Sequence, residues 1–246
     1  RYWPRRSPPP PEVIELQGVQ VVVSVPRAGG RPLRRILVAE TTLRLAERRI
    51  AVIGANGSGK STLLRLLNGL VLPTSGHVLV DGLDTRDQGR EVRRRVGFIF
   101  TDPLAQLVMA TAADDVELSL RRDVPDRTER RRRALALLEQ RGLGRFADQS
   151  VYDLSGGERQ LVALTSVLAA DPVIVVADEP TTLLDLRNRT LIQRALSEVG
   201  QQVIVATHDL EIAADADRVL VVDEGRVVAD GAPGPTIASY LELMTR

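Results

Sequence analysis

An apolar strand, a glycine-rich turn and a leucine-spaced helix follow one another without a break in RIAVIGANGSGKSTLLRLLNGL, residues 49–70. Few short stretches restrict a fold so tightly. RIAVIG at 49–54 is a short strand of the buried kind, and the leucines of KSTLLRLLNGL recur with helical spacing. The turn between them, Gly54-Ala55-Asn56-Gly57-Ser58-Gly59-Lys60-Ser61-Thr62, fits G-x-x-x-x-G-K-[ST] in the strand–turn–helix setting that the pattern needs. Glycines let backbone N–H groups turn inward around a polyphosphate, and the helix N-terminus adds a partial positive charge. Lys60 can reach the β- and γ-phosphates, and the Ser61 hydroxyl can bind Mg2+. Lys60 is also the only lysine among the 33 Lys and Arg residues, so its presence calls for a specific reason.

What surrounds this loop bounds the rest. With 246 residues and 43% apolar composition, the chain can build one sizeable core, or one large domain with a smaller lobe. The net charge of +1 provides no global field for nucleic acid or an anionic membrane. The absence of cysteine excludes disulfides, thiolate metal sites and cysteine nucleophiles. No apolar run approaches the ~18–20 residues that span a bilayer. The N-terminal RYWPRRSPPPPEV lacks the apolar segment of a signal peptide, and residues 1–11 read as a disordered Pro/Arg-rich arm.

Residues 13–24 and 36–45 alternate as antiparallel strands, and HVLVDG is a further strand and turn. VGFIF at 96–100 reads as a strand that Pro103 stops before a helix. Helical segments follow, the clearest at 126–141 with Asp126 as N-cap and arginines on a solvated face. VIVVADEP and QVIVAT are buried strands alternating with helices at 186–199 and 209–216, and RVLVVDEGRVVADG is a hairpin turning near Glu224–Gly225. This pattern predicts an α/β fold: a mainly parallel sheet, an antiparallel β subdomain, and a helical lobe at about 103–155. The expected organisation is one domain over residues 12–234 with a C-terminal helix at 235–246.

Two further stretches carry chemistry. VIVVADEP ends a buried strand in two acids, of which Asp178 can hold Mg2+ and Glu179 can polarise an attacking water as general base. Adjacent carboxylates at a buried strand end are costly unless metal or hydrogen bonds compensate. LSGGERQ places Ser155, Gly156 and Gly157 at a second helix N-terminus, a second anion site.

Taken together, GANGSGKST, the strand end at 101, LSGGERQ, VIVVADEP, TLLD at 182–185 and ATHD at 206–209 resemble the ATP-binding-cassette ATPases, in that family's order, over roughly residues 12–232. The resemblance implies a head-to-tail dimer with two ATPs in its seam, each between the phosphate loop of one subunit and Ser155, Gly156 and Gly157 of the other. It implies that Asp185 lies in that seam and that His208 contacts the γ-phosphate and helps hold the attacking water. VGFIFTDPLAQ, TAADDVELSL, LNGLVLPTSGHVLVDG and DEPTTLLDLRN are similar to ATPases of energy-coupling-factor importers, most of all the biotin and cobalt types. That implies an ATPase energising uptake of a vitamin, biotin first, or a transition-metal ion. Its partners would be a transmembrane coupling protein, docked by the lobe around 101–117, and a membrane substrate-binding protein. It would form a homodimer at the cytoplasmic face of the cell membrane, with no nucleic acid. Two departures stand out. The adenine-stacking aromatic of the family would fall near Val25, where VVVSVPRAGG has none, and Thr101 stands where the family usually has Gln. Thr101 can serve Mg2+ through a water, or it can merely cap the helix beginning near Pro103; Gln106 is a separate glutamine and no replacement.

The alternatives are a soluble ATPase of the same family, uncoupled from transport, and a low-turnover nucleotide-gated binding module. Lys60 and Ser155 are 95 residues apart, too close for the long coiled coil of DNA-repair members, and one cassette is too few for the translation type.

Overall fold

The computed structural model describes residues 12–27, 32–182 and 184–245, so the arm expected over residues 1–11 lies outside the described residues. In chain order the elements are β1 (Ile14–Val25), β2 (Leu33–Leu45), β3 (Arg49–Ile53), α1 (Lys60–Leu66), β4 (Ser75–Val80), β5 (Leu83–Asp84), α2 (Gly89–Arg95), β6 (Val96–Ile99), α3 (Ala112–Leu120), α4 (Arg127–Gln140), α5 (Gly156–Ala169), β7 (Ile174–Asp178), α6 (Leu186–Glu198), β8 (Gln202–Ala206), α7 (Leu210–Ala214), β9 (Arg218–Asp223), β10 (Arg226–Gly231) and α8 (Pro233–Met244).

Two sheets result. The antiparallel one runs β2-β1-β4-β5, and the other runs β10-β9-β3-β8-β7-β6 with β3, β6, β7, β8 and β9 mutually parallel and β10 antiparallel at the edge. Every residue of β7 and β8 is buried, as their unbroken apolar runs predict for parallel strands covered on both faces. Because the strands are parallel, the ends of β3, β6, β7 and β8 emerge along one edge, carrying Gly54, Thr101, Glu179 and His208 to the same side of the molecule. Ligands of open α/β sheets collect at that edge.

One apolar cluster joins Ile53, Ile99, Val175 and Ala177 of this sheet to Val116, Leu138, Leu161 and Leu164 of the helical lobe. A second cluster fills the space between the two sheets and α1, with Ile14, Leu16, Ile50, Leu64, Leu66 and Val78. In the lobe, Asp126 caps α4 by accepting from Glu129 N at 2.7 Å, as the sequence predicts. Arg130 to Arg133 of α4 are paired rather than merely solvated. Arg132 and Arg133 meet Glu129, and Arg131 reaches Asp114, Glu117 and Asp148, tying α4 to α3 and to the connection that follows.

Two local readings are corrected. The strand expected through Phe100 ends at Ile99, because the Phe100 N–H donates instead to Gln106 Oε1 at 3.0 Å. The segment after it is one 3-10 turn, Pro103–Ala105, and its cap is Asp102, which accepts from Leu104 N at 3.0 Å. The capping role considered for Thr101 is therefore taken by its neighbour.

Candidate nucleotide site

The loop after β3 can be built only with glycine at two of its positions. A Cβ on Gly54 (φ 152°) would lie 2.1 Å from Val222 O, and one on Gly59 (φ 111°) would lie 2.7 Å from Leu37 O. The neighbouring turn holds the loop in place: Gly225 N donates to Ser58 O at 2.7 Å, and Ala39 N of β2 donates to Gly225 O at 2.7 Å. Lys60 begins α1 and is only 4% exposed. Its ammonium donates to Gly54 O at 2.9 Å and Ala55 O at 3.0 Å and lies 3.4 Å from Glu179 Oε1. The Ser58 hydroxyl is buried without a hydrogen-bond partner among the described residues. A buried orphan of this kind suits a loop that wraps an anion.

A cavity of about 700 Å3 opens over the loop, within the range that holds nucleotide-sized ligands. The loop residues Asn56 to Thr62 line it, together with Thr101 and Glu179 from the strand ends, the β2 segment 35–37, and Glu224 and Gly225. Gly54, Ala55, Asp178 and His208 are not among its lining residues.

Asp178 is buried at the end of β7 and accepts from the Ser61 hydroxyl at 2.8 Å, with Arg65 at 3.6 Å. Burial raises its carboxyl pKa above the ordinary value, against the opposing pull of Ser61 and Arg65. A buried carboxylate beside a hydroxyl is a donor set that a hard cation such as Mg2+ accepts. Among the described residues no cluster of three or more His, Cys, Asp or Glu is placed to hold a metal, so the remaining positions would fall to phosphate oxygens and water.

Glu179 leaves β7 in the left-handed region (φ 47°), which turns it away from the direction of Asp178. Its Oε1 faces Lys60, and its Oε2 accepts from the Thr182 hydroxyl at 2.9 Å and lies 3.5 Å from His208 Nδ1. Burial raises its pKa, but Thr182, Lys60 and His208 together outweigh burial and hold the group below the usual carboxylate value. It is ionised at neutral pH, as a proton acceptor must be. Thr182 and Arg65 were not singled out from sequence, although each lies within one turn of a residue that was.

Thr101 lines the cavity and donates its hydroxyl to Asp178 O at 2.7 Å, tying the end of β6 to the end of β7. Its proton is thus occupied, and its lone pairs remain to accept from a water in the cavity. Gln106 is held elsewhere, accepting from Phe100 N and donating to Ala163 O at 3.2 Å, in keeping with its reading as a separate glutamine. Thr101→Val is expected to slow steady-state phosphate release by roughly three- to tenfold through loss of one hydrogen bond. Thr101→Gln should raise the basal rate. Wild-type rates in both variants would remove Thr101 from the reaction.

Ser155, Gly156 and Gly157 lie outside this cavity. Ser155 caps α5 in a capping box: Glu158 N donates to Ser155 Oγ at 3.3 Å, and Ser155 N and Oγ donate to Glu158 Oε2 at 2.8 and 2.7 Å. Gly156 is exposed, whereas Gly157 is buried and a Cβ there would lie 2.2 Å from Asn188. The second glycine thus makes room for α6. Asp185 caps α6, accepting from Asn188 N at 2.8 Å, and remains exposed beside this signature helix.

A glycine-bounded loop with a buried lysine, two acids at a neighbouring strand end and a separate helix whose N-terminus, Ser155 and Gly156, is exposed define a nucleotide-hydrolysing cassette. The ABC transporter family model matches residues 41–182. The chain is 44% identical over 209 residues to the biotin transport ATP-binding protein BioM of Rhizobium etli, covering 85% of this chain and 93% of that protein. It is 41% identical over 189 residues to the energy-coupling factor transporter ATP-binding protein EcfA1 of Halalkalibacterium halodurans, covering 75% and 68%. Its fold is similar to the dimeric ATP-binding cassette MJ0796 bound to ADP and Pi, with a TM-score of 0.80, 30% identity, and coverage of 89% and 98%. The chain belongs to the ABC transporter ATP-binding family, whose members hydrolyse ATP.

Proposed function

We propose that this chain is the ATP-hydrolysing subunit of an energy-coupling-factor type importer for a vitamin, biotin first, or a transition-metal ion. One observation carries the reading: Lys60, Ser61, Asp178, Glu179 and His208 converge at one sheet edge, while Ser155 and Gly156 stand exposed outside the cavity. Such a division suits two copies joined head to tail, with each cavity closed by the signature helix of the other copy. Lys60 and the loop amides of Gly54 to Thr62 bind the phosphates. Glu179 takes the proton of the attacking water, and His208 orients that water and the γ-phosphate. Ser61 and Asp178 would hold Mg2+, which neutralises phosphate charge when bound. Ser155, Gly156 and the Gly157 amide complete the site from the partner copy.

Among the described residues no helix is long and apolar enough to cross a membrane; in this reading, other chains form the path for cargo. The lobe near 101–117 presents exposed Val108 (71%) and Met109 (38%), a surface suited to a segment of a transmembrane coupling protein. A membrane substrate-binding protein selects the cargo. These assignments place the chain at the cytoplasmic face of the membrane, and the likeness to BioM and EcfA1 supports them.

Affinity purification from detergent-solubilised membranes, followed by mass spectrometry, tests the reading. A multi-span membrane protein is expected to co-purify, and its presence should raise the ATPase rate. Full recovery as a soluble protein with no membrane companion would favour an uncoupled ATPase. A purified protein that binds ATP without turnover, even with partners, would favour the nucleotide-gated module, to which Thr101 lends some support.

A further inference from the structure

His208 stands 48% exposed, and among the described residues the only partner of its ring is Glu179 Oε2 at 3.5 Å. The direction of the ring therefore depends on the backbone on either side. Before it, Thr207 N donates to Val52 O at 3.0 Å and ties the end of β8 to β3. After it, Asp209 caps α7, accepting from Glu211 N at 3.0 Å. α7 has only five residues, Leu210–Ala214, and a helix that short has little stability of its own. Asp209 thus needs an anchor outside its own turn.

α6 supplies that anchor. Gln193 Nε2 donates to Asp209 Oδ2 at 3.1 Å, and Arg189 lies 3.7 Å from the same oxygen. The two residues are four apart and share one face of the helix. The Asp209 side chain is only 10% exposed, so its charge depends on such partners. α6 is itself held at both ends. At its start the Asn188 side chain donates to Asp185 Oδ2 at 3.0 Å and sits against Gly157 of α5. At its end the Arg49 guanidinium of β3 donates to Gln201 O at 2.6 Å, Ser197 O at 3.2 Å and Val199 O at 2.6 Å. A helix fastened to both β3 and α5 is a firm reference, and Gln193 extends it to the residue after His208.

We propose that Gln193 is a positioning residue for the reaction: through Asp209 it fixes the direction of His208. Gln193 is not among the residues lining the cavity, so it acts through its neighbour. An amide suits the place, because it gives a hydrogen bond without adding charge beside His208 and Glu179. Arg189 supports the same carboxylate at longer range. A reacting group misplaced by about 1 Å can lose on the order of 10²-fold in rate, so a contact one residue away matters. The inference rests on the reading of His208 as the group that orients the attacking water and the γ-phosphate.

Exchanging the two partners tests this on the full chain. Gln193→Glu replaces the donor by a second carboxylate facing Asp209. Adding Asp209→Asn restores a hydrogen bond with the roles reversed, and asparagine still caps α7. The chain has two histidines, so NMR of the labelled rings reports on His208, with His77, held by Asp84 at 2.7 Å, as the reference for an intact fold. Gln193→Glu is expected to move the His208 signals and to lower kcat roughly ten- to hundredfold, with MgATP affinity changed less than about threefold. Asp209→Asn in the same chain should return the signals toward wild type and kcat to within about threefold of it. Gln193→Ala adds no charge, should cost roughly three- to tenfold in kcat, and carries the test if paired carboxylates unfold the chain. Unmoved His208 signals in both single variants, or a loss of activity that Asp209→Asn does not repair, would overturn the inference. Signals that move and return while kcat stays constant would instead remove His208 from the reaction, and with it the reading on which the inference rests.

Discussion

Lys60→Ala should reduce ATP hydrolysis by roughly a hundredfold or more, the usual effect of losing a positioned cation in a phosphate or oxyanion site. The reason is local and has no backup. Lys60 is the only lysine in the chain, and it is held in the loop by Gly54 O and Ala55 O, 3.4 Å from Glu179. Once ATP is bound, the same ammonium can leave these carbonyls for the β- and γ-phosphates, freeing Oε1 of Glu179. Arg65 is the nearest other cation noted at this edge, but it faces Asp178 at 3.6 Å. Phosphate release and nucleotide binding, assayed together, check this. Hydrolysis within about twofold of wild type would mean that this loop is not the reactive one.

Glu179→Gln should lower turnover by roughly 10²–10⁴-fold while ATP continues to bind. The amide keeps the shape of the side chain and can still accept from Thr182, but it cannot take a proton. The fold invests in this residue: its backbone is held in the left-handed region, and Thr182, Lys60 and His208 all keep the carboxylate ionised. Single-turnover measurement separates a lost base from lost binding. A variant that hydrolyses normally would move the base to His208, which lies 3.5 Å away.

Much of this site was legible before any coordinates, and the reasons are physical. The loop, the strand ending in Asp178 and the buried strand before His208 announce themselves because a covered parallel strand must be apolar throughout and must release its polar residues at its end. What escaped notice depends on contacts between distant segments. α2, GREVRRR, has one buried residue, Val92, and no apolar stripe to mark it as a helix. Phe100 belongs to an apolar run, yet its N–H leaves the sheet for Gln106, six residues on. Gly157 looks like a second ligand-facing glycine, but it is small because Asn188 occupies the space beside it. The β2 part of the cavity lining was invisible because alternation in a strand does not tell which edge faces a cavity. The departure at Thr101 could be seen, but its bond to Asp178 O, and hence the exclusion of a capping role, required the fold.

The claim on which the account turns is that each reaction site is completed by a second copy of the chain. The mass in solution of Glu179→Gln, measured by light scattering with and without ATP, tests it directly, because a variant that binds without hydrolysing should hold the closed pair. The account predicts the 26.9 kDa mass of one chain without nucleotide and a doubling with ATP, abolished when Ser155→Arg is added to the same chain. A variant that binds ATP stoichiometrically yet keeps the single-chain mass would contradict it.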